Sequence, residues 1–447
     1  MNRLANQAVG SMGLYVVASL VALFSFTPHA AGEAPAGGTL GSQIDRLAAE
    51  VQSQAIAWRR DLHQHPELSN REVRTAAVVA DHLRQLGLEV RTGVAHTGVV
   101  GVLRGGKPGP VVALRADMDA LPVTEAVDLP FASKAKAVYN GQEVGVMHAC
   151  GHDIHTATLM AVAQVLSRVR EQLPGAVKFL FQPAEEGAPQ GEAGGAQLMI
   201  REGALDNPKP EVIFGLHVSP NYSIGTIAYR SGPTMANQDN VRIVVRGRQT
   251  HGASPWGGTD PIVIAAQIVL GLQTIVSRQV NLPEAPAVIT IGSIHGGVRS
   301  NIIPDEVDMV GTIRTFEPEM RRDIIERIRK TATAIAQSGG AGADVTIDPG
   351  YPVTCNDPNL TTRMAPVLGA VVGKGHAVST PLSTGAEDFS YYQQQIPGLY
   401  FFLGVTPRGE DPKKAPMCHS PRFYADESAM VVGIRALAHL TIAYLEK

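Results

Sequence analysis

A repeated pattern constrains the fold of this chain more than any other feature: a short apolar run is followed at once by polar residues. The runs are rich in β-branched residues and lie at 111–115, 177–181 and 212–216. Their length and composition predict buried strands of an α/β sheet. The polar residues that follow are 115–122 (RADMDALP), 182–187 (QPAEEG) and His217. Since ligand sites of open α/β sheets form beyond the carboxyl ends of the strands, we expect these side chains to meet at one edge.

The stretch at 147–155 (MHACGHDIH) is the densest in metal-binding side chains. Cys150 and His152 flank a glycine, which lets both side chains turn toward one point. Thiolate and imidazole together suit divalent metals such as zinc, nickel, cobalt or manganese. The stretch taken alone is also compatible with a buried cysteine beside a helix-capping aspartate and with histidines that only pack. A metal site therefore needs further ligands from elsewhere in the chain.

The adjacent carboxylates Glu185 and Glu186 meet a requirement of two-metal hydrolases. One of them can bind metal while its neighbour takes a proton from the attacking water. Such pairs are common on solvated surfaces, and single histidines such as His217 and His419 more often pack in a core. Their position after predicted strands favours the functional interpretation. The sequence has no HExxH zinc motif, no GxSxG nucleophile motif and no Gly-rich phosphate loop.

The pattern changes between about 228 and 349, where strand, helix, strand, strand, helix and strand follow one another. The predicted strands are 241–246, 288–294, 306–314 and 345–347, and the predicted helices are 261–276 and 319–337. This order is the split βαβ pattern. We therefore predict a catalytic domain in two parts, 35–227 and 350–447, with a small α/β domain inserted at 228–349.

The N-terminal residues 1–34 form a segment of a different kind. Arg3 is followed by an apolar run at 9–26 and then by small residues up to Ala34. This is the pattern of a secretory signal peptide, and it predicts a periplasmic or secreted protein. Because the apolar run is long for a signal, an uncleaved membrane anchor is the alternative, and the membrane is a partner only in that case.

Composition excludes some classes of partner. The 447 residues are 44% hydrophobic and 18% charged, as expected for a globular protein of two or more domains. The net charge of -3 and the lack of a basic stretch argue against nucleic acid. Three cysteines, an odd number, do not suggest a disulfide framework. Cys355 has no histidine beside it, and we predict no role for it.

Eight motifs together resemble a known family. In chain order they are RADMDALP, MHACGHDIHTA, FQPAEEG, GLHV, THGASP, SNIIPD, TGAEDFSYY and HSPRF. They resemble the amidohydrolase branch of the aminoacylase/carboxypeptidase-G-like metallopeptidases, which includes hippurate hydrolases, N-acyl-amino-acid amidohydrolases and indole-acetyl-amino-acid hydrolases. The resemblance covers about 45–445. It implies an α/β fold of two domains, with a zinc-peptidase-like mixed sheet flanked by helices and an inserted ferredoxin-like dimerisation (lid) domain.

The resemblance also implies roles for particular residues. The implied ligands of two divalent ions (manganese, zinc, nickel or cobalt) are Cys150, His152, Glu186, His217 and His419. Glu185 is the implied general base, and Asp119 resembles the acid that orients a ligand or the base. His251 resembles a histidine that reaches across a dimer to polarise the scissile carbonyl, and Asn301 resembles a residue near the substrate carboxylate.

Three of these residues have simpler interpretations, and the motif around one departs from the family. Asp119 could cap a turn, His251 could lie on a surface loop, and Asn301 could form a turn. Trp256 stands where the family leads us to expect a histidine, and Gln249 and Thr250 replace the usual small residues before His251.

The implied activity is the cleavage of small N-acyl amino acids, with benzoyl, aryl-acetyl or acetyl groups, to a carboxylic acid and a free amino acid. The implied assembly is a homodimer or a tetramer. One alternative is a metallo-dipeptidase or aminopeptidase of the same superfamily. A second, of another class, is an exported binding protein without catalysis, and the presence of all five ligands and the base argues against it.

Overall fold

The computed structural model describes residues 39–446, so the predicted signal peptide lies outside the described part of the chain. The strands in chain order are β1 (Glu89–Val94), β2 (Gly98–Arg104), β3 (Lys107–Asp117), β4 (Lys136–Tyr139), β5 (Gln142–Gly145), β6 (Pro174–Gln182), β7 (Val212–Ser223), β8 (Ile227–Tyr229), β9 (Gly232–Met235), β10 (Asp239–Arg246), β11 (Thr250–His251), β12 (Ala287–His295), β13 (Ile302–Ile303), β14 (Glu306–Thr315), β15 (Gly342–Pro349), β16 (Thr354–Asn356), β17 (Ala377–Ser379) and β18 (Gly398–Thr406). The helices are α1 (Thr39–Gln64), α2 (Val73–Gln85), α3 (His152–Ser167), α4 (Gly195–Arg201), α5 (Pro261–Arg278), α6 (Pro318–Ser338), α7 (Pro358–Val372), α8 (Phe389–Gln393) and α9 (Met430–Leu445).

A mixed sheet with the strand order β1-β2-β6-β3-β7-β18-β8-β17 forms the larger part of the fold. Its central strands β6, β3, β7 and β18 are parallel to one another. Successive residues of β3 enter different hydrophobic clusters: Leu114 packs with α1, α3 and α9, and Ala113 packs with α4 and α8. The central strands are thus covered on both faces, which explains why they are mostly apolar. The predicted mixed sheet flanked by helices is confirmed.

Residues 239–349 form a second sheet with the strand order β12-β14-β10-β15, in which all neighbours are antiparallel. Helices α5 and α6 pack on it around a separate hydrophobic cluster that contains Ile243, Ile268 and Ile324. If the four strands are numbered 1 to 4 along the chain, their order across the sheet is 2-3-1-4, which is the order of a ferredoxin-like βαββαβ unit. The predicted sequence of elements is therefore present, while the domain boundaries at 228 and 349 stay a prediction.

One predicted strand end is wrong. His217 was expected just beyond a strand at 212–216, but it lies inside β7, which continues to Ser223. The pairing of β7 with β3 does stop at Gly215, whereas its pairing with β18 continues and places Phe402 opposite His217. His217 therefore lies beyond the edge of β3, although its own strand has not ended.

Two described helical segments, Pro261–Arg278 and Glu427–Leu445, are long and apolar enough to cross a membrane by length and composition alone. The second is 67% buried within the fold and is a core helix, whereas the first is only 33% buried.

Candidate metal centre

The fold brings the five predicted metal ligands together from four places in the chain. Cys150 and His152 stand at the start of α3, Glu186 follows β6, His217 lies in β7, and His419 precedes α9. The Cys150 Sγ atom is 3.3 Å from His217 Nε2. The His419 Nε2 atom is 3.1 Å from Glu186 Oε1, and His152 Nε2 is 4.0 Å from the same oxygen. Side chains separated by up to about 270 positions therefore face one point.

These atoms form two groups that share one cysteine. The potential ligand atoms of Cys150, His152 and His217 all lie within 4.8 Å of one another, and so do those of Cys150, Glu186 and His419. The Nε2 atom of His152 is buried and has no hydrogen-bond partner in the described structure. A buried, unpaired nitrogen is costly unless a cation or a donor meets it. The donor set, a thiolate with imidazoles and a carboxylate, fits borderline-soft divalent metals.

The backbone at Gly151 explains the spacing of the first two ligands. Gly151 has φ 82°, in the left-handed region, and immediately precedes the first residue of α3. A Cβ atom at this position would lie 2.4 Å from the Cγ2 atom of Val218. Both the conformation and the close approach of β7 require glycine. The chain can therefore reverse between Cys150 and His152 and direct both toward His217.

Asp119 lies beneath the ligands and accepts four hydrogen bonds. Its Oδ1 atom is 3.2 Å from His152 Nδ1 and accepts from the Glu185 N–H at 3.1 Å. Its Oδ2 atom accepts from the Glu186 N–H at 3.0 Å and from the Ser69 hydroxyl at 2.7 Å. Burial would raise the pKa of Asp119, but hydrogen bonding to His152 and the charge of that ring outweigh burial and lower it. Asp119 thus orients one ligand and fixes the Glu185–Glu186 turn, which is the predicted orienting geometry.

Glu185 is buried beside the ligand cluster, with its Oε2 atom 3.9 Å from His152 Nε2. Burial raises the pKa of its carboxyl well above the ordinary value, and the negative charges of Glu387 and Glu186 raise it further. The Tyr351 hydroxyl donates to the Glu185 backbone carbonyl at 2.6 Å. A carboxyl with a raised pKa next to a metal site is suited to accept and hold a proton.

Two buried ionic networks behind the site were not predicted, although their residues lie in motifs quoted above. Arg115 is fully buried and binds Asp117 at 2.7 Å, Glu387 at 3.0 Å and Asp388 at 2.9 Å. The three carboxylates come from two distant segments, so no local pattern indicates that they meet. The cation stabilises a group of acids that would otherwise repel one another next to Glu185.

His155 forms the second network, which orients His217. Its Nδ1 atom is 2.6 Å from Asp117 Oδ1, and its Nε2 atom accepts from the Val218 N–H at 2.9 Å. The Nδ1 atom of His217 is 2.6 Å from the Val218 carbonyl oxygen, to which it can donate. The Nε2 atom of His217 is thereby directed toward Cys150, as a metal ligand requires.

A cavity of about 740 Å³ opens above the ligands. Its lining includes Glu185 and four of the potential ligands, and also Arg314, Asn240, Tyr351 and Phe402. Arg314 is partly buried on β14 and lines the same cavity as Glu185 and Glu186. Sequence reasoning missed it because an arginine in an alternating strand has the same pattern whether it faces solvent or a cleft.

His251 and Asn301 lie elsewhere in the described chain. Both are exposed, and they are neighbours through β11 and β13, where the Gly252 N–H donates to the Asn301 carbonyl at 2.8 Å. Neither lines the cavity of its own chain. Trp256, near His251, is 83% exposed. The predicted roles of His251 across a dimer and of Asn301 near a substrate carboxylate stay predictions.

Comparison with known proteins agrees with this geometry. The model of peptidase family M20/M25/M40 matches residues 113–443. Thermostable carboxypeptidase 2 of Saccharolobus solfataricus is 41% identical over 400 residues, covering 89% of this chain and 97% of the relative. N-acetyl-L-cysteine deacetylase of Bacillus subtilis is 39% identical, covering 85% and 86%. The solved structure of the Bacillus subtilis YXEP protein, described as a dinuclear metal-binding peptidase from the M20 family, has a TM-score of 0.74 at 36% identity, covering 89% of this chain and 99% of that one.

The resemblance inferred from the motifs is therefore confirmed, and with it the chemical class. The buried cluster of potential ligands and its likeness to a dinuclear relative support two divalent metal ions. The protein is a metal-dependent amidohydrolase, and its chain belongs to peptidase family M20/M25/M40.

Proposed function

We propose that this protein hydrolyses N-acyl amino acids at the centre described above. The observation that carries the proposal is the position of a buried carboxyl, Glu185, next to two groups of potential metal ligands that share Cys150. Cys150, His152, Glu186, His217 and His419 would hold the two ions, which when bound would supply the Lewis acidity that activates water. The thiolate and the imidazoles favour zinc, cobalt or nickel, and manganese remains a candidate because of the carboxylate.

Glu185 performs the proton transfers in this mechanism. Its carboxylate takes a proton from the water as the water oxygen bonds to the acyl carbon. The C–N bond then breaks, and Glu185 passes the proton to the departing nitrogen. The products are a carboxylic acid and a free amino acid. Asp119 holds the backbone of Glu185 in place through both steps by accepting its N–H.

Arg314 indicates where in the cavity the carboxylate end of the substrate binds. An amino acid leaving group carries a carboxylate, and a guanidinium binds carboxylates in a bidentate manner. Arg314 lines the same cavity of about 740 Å³ as four of the potential ligands, and a cavity of this size can enclose a small N-acyl amino acid. N-acetyl-L-cysteine, named for one relative, is a substrate of this class. Peptides with a free carboxyl end are the second candidate, because another relative is named a carboxypeptidase.

A homodimer fits the exposed surface of the 239–349 region. Apolar side chains on α5 and near β12 are open to solvent, including Val263 at 54%, Leu270 at 70% and Val298 at 94% exposure. Strand β12 is also an unpaired edge of its sheet within the described residues, and proteins rarely leave such an edge next to apolar surface uncovered. In a dimer formed on this face, His251 of the second copy would stabilise the developing oxyanion.

We also propose export to the periplasm, directed by residues 1–34.

The test is a panel of N-acyl amino acids and dipeptides, assayed with zinc, cobalt, nickel and manganese in turn after exhaustive chelation. We expect no turnover without metal and a preference for N-acyl amino acids over dipeptides. In the same assay Glu185→Gln should keep its metal but lose turnover by about 10²- to 10⁴-fold, the usual contribution of a general base. Glu143→Gln, on an exposed hairpin, is the matched control. Activity that survives chelation, or a Glu185→Gln variant close to wild type, would refute the mechanism.

A further inference from the structure

A second cysteine lies beside the shared metal ligand. Cys418 immediately precedes His419, and the His419 N–H donates to the Ala149 carbonyl at 2.8 Å. This bond joins the peptide that follows Cys418 to the peptide that precedes Cys150. Both cysteines line the cavity and both are free thiols; Cys150 is buried and Cys418 is partly exposed. The two sulfur atoms are therefore held on neighbouring, hydrogen-bonded segments.

The spacing suits a covalent bond between them. The hydrogen bond places the backbones that carry the two cysteines side by side, and a disulfide spans Cα separations of about 4.4–6.8 Å. Among the described residues, Cys418 belongs to none of the groups whose ligand atoms all lie within 4.8 Å of one another, whereas Cys150 belongs to two. Cys418 is thus a neighbour of the ligand Cys150 and stands outside the ligand groups.

We propose that Cys150 and Cys418 form an oxidisable pair whose disulfide excludes metal from the centre. The proposal rests on the role of Cys150 as a metal ligand given under the proposed function. Because Cys150 contributes to both ligand groups, its loss removes a donor from each metal position at once. A disulfide sulfur is a far poorer metal ligand than a thiolate.

The oxidant is a peroxide, which accepts two electrons from the two thiols in two steps. The sulfur of Cys418, the more exposed of the pair, attacks one oxygen of hydrogen peroxide; the O–O bond breaks, a sulfenic acid forms and one water leaves. The sulfur of Cys150 then attacks the sulfur of Cys418, the S–S bond forms, and the hydroxyl departs as a second water with the thiol proton. Two thiols lose two electrons and two protons in total, and one peroxide becomes two waters. Metal bound to Cys150 blocks the second step by occupying its sulfur.

The experiment uses the full chain in two states, zinc-loaded and chelator-treated, each exposed to one equivalent of hydrogen peroxide. Free thiols are counted after denaturation, disulfide-linked peptides are mapped without reduction, and zinc uptake is measured before and after oxidation. We expect the chelated protein to fall from three thiols to one, to give a linked Cys150–Cys418 peptide and to lose most zinc uptake until a thiol reductant restores it. The zinc-loaded protein should keep its thiols.

Two variants separate this proposal from general oxidation damage. Cys418→Ser should give no linked peptide and should retain several-fold more zinc uptake than wild type after the same treatment. Cys355→Ser, which removes the remaining, exposed cysteine, should still give the linked peptide. The proposal is overturned if the linked peptide contains Cys355, if zinc uptake is lost without a linked peptide, or if Cys418→Ser already takes up less zinc before oxidation. If the chelated wild type forms the linked peptide but takes up no zinc before peroxide treatment, the metal centre is contradicted instead, because the thiols of the chelated protein are counted without metal.

Discussion

Asp119 offers the most direct test of how the metal centre is held together. We expect Asp119→Asn to lower the affinity for metal by about 10- to 100-fold, the usual effect of losing a residue that orients a ligand. This corresponds to about 1.4–2.7 kcal/mol. The same variant should also lower the free energy of unfolding of the metal-free protein, because Asp119 accepts backbone hydrogen bonds on both of its oxygens.

The size of the second effect follows from the contacts. Each oxygen of Asp119 accepts from one backbone N–H, that of Glu185 or that of Glu186. An asparagine must therefore turn its NH₂ group toward one of these donors, whichever way the amide is oriented. One hydrogen bond to a charged acceptor is lost, at about 1.5–3 kcal/mol, and those that remain lose their charge assistance. Removal of a buried negative charge near Glu72, whose pKa Asp119 helps to raise, offsets part of this loss. We expect a net loss of about 2–3 kcal/mol.

The assay is a zinc titration of the folded variant together with denaturant unfolding in excess chelator. Ser69→Ala removes only one hydroxyl donor to Asp119 and should cost about 1 kcal/mol of stability. Asp239→Asn, which changes a buried partner of Arg321 and none of the contacts of Asp119, should destabilise the fold without changing zinc affinity. If folded Asp119→Asn binds zinc as tightly as wild type, the proposed orientation of His152 and of the Glu185–Glu186 turn by Asp119 is refuted.

Two further predictions concern substrate binding and pH. Arg314→Met should raise KM for N-acyl amino acids by about 10- to 100-fold while kcat changes little, since a lost ion pair with a bound carboxylate is worth roughly 1.5–3 kcal/mol; substrates that lack the carboxylate should be unaffected, and a fall confined to kcat would exclude this role. His82 is buried against Trp58 and is hydrogen-bonded to the Met160 carbonyl, and burial lowers its pKa below the ordinary 6.5. Its neutral form stabilises the fold above pH 6.5, and this stabilisation is lost as pH falls below 6.5, by at most about 1.4 kcal/mol per pH unit. Between pH 7.5 and pH 5.5 the free energy of unfolding of wild type should therefore fall relative to that of His82→Phe. An equal difference between the two proteins at both pH values would contradict the assignment.

The parts of the fold that the sequence predicts well are those in which burial alone determines the pattern. The strands at β3 and β6 are apolar because both faces are covered, and helix α6 repeats apolar residues at intervals of three and four. The hairpin β4–β5 and helix α7 were not predicted. The hairpin has no buried residue in either strand, so it has no apolar pattern to recognise.

The candidate site was predictable to the extent that its residues follow strands or lie in one short motif. Glu186 and Cys150 could be found in this way, because Glu186 follows a predicted strand and Cys150 precedes a glycine and a histidine, and both positions indicate a metal ligand. Arg314 could not be found, because only the meeting of two separate sheets turns a strand residue into part of a cavity wall. The group around Arg115 was hidden for a related reason: its partner Glu387 is more than 250 positions away, and long-range ion pairs leave no periodic signal.

The backbone around the ligands indicates that the two metal positions differ. Ala184 and His419 both adopt left-handed φ values, 52° and 70°, a conformation that costs non-glycine residues about 1–2 kcal/mol. The turn that contains Ala184 is held by hydrogen bonds to the buried acids Glu72 and Asp119. By contrast, the side chain of His419 is 55% exposed, and its backbone N–H donates to a single carbonyl. We therefore expect the ion held by His419 to bind more weakly than the one held by the buried His152, so a zinc titration should show two phases. His419→Ala should remove the weaker phase and leave the tighter one, and loss of both phases together would show that the two positions fill as one unit.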